Sequence, residues 1–243
     1  MVHAFSVAFN PSTPDGFMVT LRNVLPFAGS RRMLTQGVAA VALSVSLAAS
    51  CAGTAVAQNT KVPVDQLMAA QALPDIVQGK ADAPVTIVEY ASMTCTHCAA
   101  FHTETYPTLV SKYVDTGKVK FILREFPLDP LATAGFMLAR CAGPEKRSAV
   151  VDLLFTQQKN WAFVDKPLEA LAGILKQTGM SKESFETCLK DQKLYDEVNQ
   201  VRDAGSQKFG VTATPTFYFN GTKVSGEITP ETLAKILDPL LKS

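Results

Sequence analysis

Val85-Thr86-Ile87-Val88-Glu89-Tyr90 runs through Ala91-Ser92-Met93-Thr94 into Cys95-Thr96-His97-Cys98, and this stretch decides the fold. Its first six residues are β-branched and aromatic, which reads as a strand. Ala-Ser-Met-Thr is turn-like. From Cys95 to about Asp115 the pattern is helical, with a kink expected at Pro107 and an end at Gly117. Val119 to Phe126 reads as a second strand, closed by Pro127. Strand, crossover helix and strand make a βαβ unit with a parallel pair. Glu89 stands out in the first strand because it alternates in phase with Val85 and Ile87. Either it points into the interior beneath the helix, or it ends the strand and reaches solvent.

Working outward, residues 130–209 carry no strand signal. Helical segments recur at about 130–142, 145–159, 167–178, 182–190 and 192–208, punctuated by Pro144, Pro167 and Gly179. Strands return at Thr216-Phe217-Tyr218-Phe219 and Thr222-Lys223-Val224, with Asn220-Gly221 between them as a hairpin turn. Pro230 opens a last helix to about Leu241. Upstream, residues 58–83 read as a polar lead-in with a short helical stretch near Asp65–Ala72. The expected order is α/β: βαβ, an all-helical insert, then ββα. Residues 84–129 and 210–243 form one domain, and 130–209 form the insert.

The 243 residues are 47% hydrophobic, enough for a buried core. With 23 basic and 22 acidic residues, there is no strong field for nucleic acid or acidic lipid. Five cysteines is an odd count that asks for an explanation in an exported protein. Met33 to Thr60 holds no Asp, Glu, Lys, Arg or His. Arg31 and Arg32 precede an apolar stretch, Gly37 to Ser50, and Ala55-Val56-Ala57 follows as a small-x-small site. That order is the order of a cleaved signal peptide over residues 1–57. The densest apolar stretch is too short to span a bilayer comfortably; a retained anchor is the alternative. Ser30-Arg31-Arg32-Met33-Leu34 is similar to a twin-arginine signal, and Leu47-Ala48-Ala49-Ser50-Cys51 to a loose lipoprotein box. Residues 1–30 read as an upstream extension before Met18. Cleavage after Ala57 removes Cys51 and leaves an even set: Cys95, Cys98, Cys141 and Cys188. It also removes Arg22, Arg31, Arg32 and Asp15, leaving 20 basic against 21 acidic residues.

A C-x-x-C at a strand-to-helix junction reads as a redox site. Cys95 falls at the helix start, where unpaired N–H groups and the macrodipole favour an anion. The thiolate is the reactive form. A charged His97 would stabilise it further, and a stabilised thiolate makes the disulfide form a stronger oxidant. Cys98, one turn in, would be the buried resolving thiol. Glu89, if buried, would have a raised pKa and handle the Cys98 proton. Three alternatives stand beside this reading. The pair could be half of a zinc site with His102, although no second ligand pair has the spacing. It could be a static disulfide. His97 could be a solvated helix residue without effect.

Glu89-Tyr90-Ala91-Ser92, Cys95-x-x-Cys98 and Thr214-Pro215-Thr216-Phe217, with the helical insert, resemble the DsbA family of the thioredoxin superfamily, in its alphaproteobacterial type. The resemblance covers about residues 74–242. It implies a thioredoxin fold interrupted by the insert, with a redox-active Cys95–Cys98 disulfide and Cys95 as the nucleophile. It also implies a cis Pro215 against that disulfide, and Thr214 touching the sulfurs while bonding an extended substrate. Glu89 would match the family's buried acid. Thr96 departs from the family's usual Pro-His dipeptide, so the redox potential is open; a further family acid is replaced by the His102 region. Cys141 and Cys188 would staple the insert, as in related members with an extra pair. The even count in an oxidising compartment favours that bridge, worth roughly 3–4 kcal/mol by loop entropy; two free buried thiols are the alternative.

The expectation is a periplasmic dithiol oxidase that donates its disulfide to reduced or unfolded secreted client proteins. A DsbB-like membrane quinone oxidoreductase would regenerate it. No cofactor, metal or nucleic acid is expected. An isomerase or reductase on the same fold is the nearer alternative. Only residues 58–84 separate the cleavage point from the first strand, too few for a dimerisation module, so a monomer is expected. A redox-inert chaperone or binding module using the Thr214-Pro215 groove is the more distant alternative, and the intact cysteine pair speaks against it.

Overall fold

The computed structural model describes residues 61–242. Five strands form one sheet: β1 (Ile76–Gln78), β2 (Val85–Ala91), β3 (Val119–Glu125), β4 (Thr216–Phe219) and β5 (Thr222–Ser225). Their order is β1-β3-β2-β4-β5. β2 and β3 are parallel and the other pairs antiparallel. Every residue of β2 is buried, as befits a central strand covered on both faces. The expected leader, its cleavage site, the Arg31-Arg32 pair and Cys51 lie outside the described residues.

Alternation along β2 divides two cores. Val85, Ile87 and Ala91 join Phe121, Leu123, Phe217 and Phe219 in the larger one, which includes Cys98 and much of the insert. Val88 and Tyr90 join Ile122, Phe126, Phe209 and Tyr218 on the other face. Glu89 has the phase of the first set and is fully buried. It pairs in register with Leu123 on one side and Phe217 on the other. The strand therefore delivers a carboxyl group into the large core.

The helix after β2 runs in four stretches: α2 (Thr96–Ala100), a π-helical stretch Phe101–Thr105, α3 (Tyr106–Leu109) and a second π-helical stretch Val110–Val114. Pro107 sits in the first turn of α3. The irregularity appears as π turns on either side of it, which place an extra residue in the turn, a device common at functional sites.

Between β3 and β4 the chain is helical: α4 (Pro130–Cys141), α5 (Pro144–Thr156), a 3₁₀ turn Gln158–Asn160, α6 (Pro167–Lys176), α7 (Lys182–Leu189) and α8 (Gln192–Phe209). The local chemistry explains these bounds. Proline opens α4, α5 and α6, where its missing N–H costs nothing. Asp129, Ser181 and Asp191 cap α4, α7 and α8 through their side chains. Gly210, in the left-handed region, ends α8. Asn220 and Gly221 take φ values of 45° and 85° in the β4–β5 turn, as a type I′ hairpin requires. α9 (Pro230–Leu240) closes the described chain. Among the described residues no helix is long and apolar enough to cross a membrane.

The lead-in differs from its reading. Its helix, α1, covers only Val64–Leu67, and β1 extends the sheet at the β3 edge. Three residues are too few to show alternation; the free edge of β3 makes them a strand. Two ion pairs fix the connection. Arg124 grips Asp75 with two bonds, at 2.7 and 2.9 Å. Arg140 donates to Glu125 at 2.6 Å and to Pro74 O at 2.8 Å. At the opposite edge, Val62 N donates to Gly221 O at 2.8 Å.

Candidate active site

The β2–α2 turn sets the sulfurs. Cys95 occupies the cap position of α2 with extended backbone, and Cys98 follows one turn in, completely buried. Both are free thiols, so the structure holds the reduced pair. The turn is held from several sides. Cys95 N donates to Ser92 O at 3.1 Å. Thr94 Oγ1 donates to Asp129 at 2.5 Å. From the insert, the buried Gln158 donates through Nε2 to Met93 O at 2.8 Å and to Cys95 O at 2.9 Å.

The two thiols have opposite environments. The Cys98 thiol, donating toward the Cys95 sulfur, is the main cause that lowers the Cys95 pKa to about 5. Burial opposes this, while Thr214 and the N–H groups of Cys98 and His97 assist. The same relation inverts for Cys98. Burial first, then its bond to Cys95 and the Glu89 charge, hold it well above the ordinary thiol value. One sulfur is thus an anion at neutral pH and the other a protonated thiol.

Thr214 comes to the sulfurs from the loop two residues before β4. Its carbonyl oxygen lies 3.3 Å from Cys95 Sγ, where it accepts from the sulfur only when Cys95 is protonated, and the Thr214–Pro215 peptide bond is cis. Thr214 Oγ1 is buried without a hydrogen-bond partner among protein atoms. His97 contributes its backbone N–H to the Cys95 environment. Its imidazole is 65% exposed and lies 3.7 Å from Glu227.

Glu89 has a partner that the sequence did not single out for this task. His102 Nε2 lies 3.0 Å from Glu89 Oε2, both side chains being buried. Burial raises the Glu89 pKa, and the imidazole works against that rise. For His102 burial opposes charge, but Glu89 and Asp152 outweigh it and raise its pKa to about 9. The ring of Phe155 stacks on the imidazole at 4.2 Å, and Tyr106 lies 4.7 Å away. His102 follows Cys98 by four residues, so helical spacing was a usable signal for it. Asp152 and Gln158 belong to the insert and carry no local signal; only the packing of the insert against α2 brings them in.

Cys141 and Cys188 are joined by a disulfide, with Cα atoms 6.1 Å apart. The bridge ties the end of α4 to α7. Among the described residues no group of three or more His, Cys, Asp or Glu is placed to hold a metal ion.

This chain is similar to known proteins over the same span. A family model described as thioredoxin matches residues 71–239. A Rickettsia bellii protein provisionally named a protein-disulfide oxidoreductase is 32% identical over 150 residues, 61% of this chain and 58% of that protein. A Rickettsia typhi relative with the same provisional name is 34% identical over 152 residues, 61% of this chain and 56% of that protein. The chain therefore spans less than two thirds of the length of these relatives. Among solved structures, Wolbachia pipientis alpha-DsbA1 superimposes with a TM-score of 0.67 at 29% identity, covering 73% of this chain and 96% of that one. BdbD from Bacillus subtilis, at 23% identity and a TM-score of 0.62, shares the fold. With the model matched from the lead-in to α9, and with the helical insert in place between the two halves of the sheet, the chain belongs to the DsbA family of the thioredoxin superfamily.

Proposed function

We propose that this chain is a thiol:disulfide oxidoreductase that introduces disulfides into secreted proteins in the periplasm. The observation that carries the reading is the asymmetry of the two sulfurs: Cys95 lowered to about 5 and Cys98 well above the ordinary thiol value. A low-pKa sulfur is a good leaving group, and its stabilised thiolate favours the reduced form. In the oxidised enzyme a client thiolate attacks Cys95 Sγ. The Cys95–Cys98 bond breaks, a client–Cys95 bond forms, and Cys98 leaves as a thiolate that takes a proton. A second client thiolate then attacks the client sulfur of the mixed disulfide. The client gains its disulfide, and Cys95 leaves as the thiolate its surroundings favour.

Glu89 is the acid we assign to the Cys98 proton, since it is buried and its charge acts on Cys98. Thr214, whose carbonyl already meets Cys95, would bond the extended client backbone, with Pro215 behind it. Return of the disulfide requires an oxidant, assigned here to a DsbB-like membrane quinone oxidoreductase. The enzyme would act as a monomer, on reduced or unfolded client proteins.

The test combines transfer and equilibrium. Oxidised protein is mixed with a reduced secreted protein of two cysteines, and disulfide formation is followed by mass. Wild type should oxidise it stoichiometrically and Cys95→Ala should not. Equilibration with glutathione should give an oxidising potential. Repair of scrambled disulfides without net oxidation would replace this reading by isomerisation, and oxidation by Cys95→Ala would refute the mechanism.

A further inference from the structure

Glu89, His102 and Asp152 form a line from the buried carboxyl to the surface, and the exchange steps above give its outer two members no task. The Glu89 and His102 side chains are 0% and 1% exposed, whereas Asp152 is 39% exposed. His102 Nε2 faces Glu89 Oε2 at 3.0 Å, and Nδ1 faces Asp152 Oδ1 at 3.4 Å. Glu89 Oε1, His102 Nδ1 and Asp152 Oδ1 are buried atoms without a hydrogen-bond partner among protein atoms. Orphaned buried polar atoms are costly and ask for a reason.

A carboxylate only accepts, so Nε2 donates to Oε2 whenever Glu89 is ionised. A proton can then enter or leave the pair at two places, Oε1 on the carboxyl and Nδ1 on the imidazole. The titratable groups around the pair are Cys95 at the cap of α2, Cys98 within α2, Tyr106 from α3 and Asp152 from α5. The Tyr106 hydroxyl is committed to Gln78 Oε1 at 2.5 Å. The rest of the wall is aromatic, Phe101 and Phe155. In such a setting a net charge created during turnover is expensive.

We propose that His102 and Asp152 are positioning residues that make proton transfer at Cys98 charge-compensated, with Asp152 as the opening to solvent. This rests on the oxidoreductase reading above. Before transfer, with the Cys95–Cys98 disulfide closed, Glu89 is neutral with its proton on Oε1 and His102 is neutral with its proton on Nε2; the reduced structure, where Glu89 and Asp152 favour the imidazolium, is the state after transfer. When the client thiolate displaces Cys98, Oε1 gives its proton to the Cys98 thiolate. His102 takes one proton at Nδ1 from water, through Asp152. The pair is now carboxylate and imidazolium, again neutral in sum, and the Nε2–H···Oε2 bond has not been broken. Re-oxidation runs the same moves backwards: the Cys98 proton passes to Oε1, and Nδ1 releases one to solvent. The stacked Phe155 ring holds the imidazole in the one plane that keeps both nitrogens aimed at their partners.

The experiment is a single-turnover pH–rate profile of mixed-disulfide formation, between about pH 5 and 9, the range in which these groups change charge. It uses the oxidised full chain and a reduced peptide with one cysteine. Asp152→Asn should slow the step roughly tenfold or more, the scale of lost general acid–base help. Added imidazole buffer should restore it, and Asp152→Glu should keep the wild-type profile. His102→Gln should slow the step and displace its pH midpoint. If His102→Gln misfolds, the partly exposed Asp152 variants still decide. Superimposable profiles for wild type and Asp152→Asn would overturn the proposal, as would a loss that no buffer restores. Absence of any transfer by wild type would refute the oxidoreductase reading itself. An active wild type with an indifferent Asp152→Asn would refute only this inference.

Discussion

Removing the Cys98 thiol while keeping Cys95 tests what makes Cys95 an anion. The wild-type sulfur is lowered from the ordinary 9.0 to about 5, and the largest cause is the Cys98 thiol. At pH 7 about 99% of it is thiolate, from a difference of about two between pH and pKa. A hydrogen bond to a charged acceptor contributes about 1.5–3 kcal/mol, and 1.36 kcal/mol moves a pKa by about one. Cys98→Ala should therefore raise the Cys95 midpoint by about one to two pH units. Thr214 and the helix-start N–H groups remain, so it should stay below an ordinary thiol. Cys98→Ser keeps an O–H donor and should retain most of the lowering. The assay is the rate of alkylation of the reduced protein by iodoacetamide against pH. The stabilisation of the reduced form by this thiolate is complete above the ordinary thiol value and disappears as pH falls through about 5. A wild-type midpoint near 8–9 would refute the electrostatic account, as would a Cys98→Ala midpoint equal to wild type.

Replacing both Cys141 and Cys188 by Ala should lower unfolding stability by about 3–4 kcal/mol, from the entropy of a loop of this length, measured in guanidinium on oxidised protein. In the reduced protein two groups act oppositely on unfolding stability between about pH 6.5 and 9: the lowered Cys95 makes it rise with pH, and the raised His102 makes it fall. His102 is raised to about 9, so its contribution is complete below 6.5 and lost as pH rises through 9. The raised Glu89 acts in the same direction as His102, so His102→Gln should make the stability of the reduced protein climb more steeply with pH, read in urea titrations at successive pH values. Gln158→Ala removes the side-chain donor to Met93 O and one of the two donors to Cys95 O, which keeps Ala99 N. It should cost about 1–3 kcal/mol, seen as a lower urea midpoint at unchanged slope. Gly205→Ala would place a Cβ 2.7 Å from the Tyr90 ring and should cost about 1–3 kcal/mol as an overpacked contact, read by thermal unfolding.

Much of the scaffold was legible because its signals are local. Consecutive β-branched residues mark β2, Asn220-Gly221 marks the hairpin turn, and prolines mark the openings of α4, α5, α6 and α9. The alternation that placed Glu89 with Val85 and Ile87 needed only the two-residue period of a strand. β1 escaped because three residues have no period of their own and take their conformation from the exposed edge of β3. The irregular helix after Cys98 escaped for a related reason. A single proline predicts a break, but not its resolution into two π-helical stretches around a short α-helical one.

By itself the sequence determined that a reactive sulfur would sit where a strand gives way to a helix, because the cysteine spacing and the strand signal are contiguous. It also determined that a Thr-Pro step would open the hairpin strand. Tertiary structure alone decided which groups govern those sulfurs. Thr214 is 119 positions from Cys95 in the chain, Gln158 is 63, and both bond to it. Whether Glu89 would be buried or solvated, and that its partners would be His102 and Asp152, depended on how the insert packs over α2. A pKa responds to every charge and every lost water within a few ångströms, and that neighbourhood is assembled from segments far apart in sequence. The reacting atoms were written locally, and their proton affinities were set by the fold.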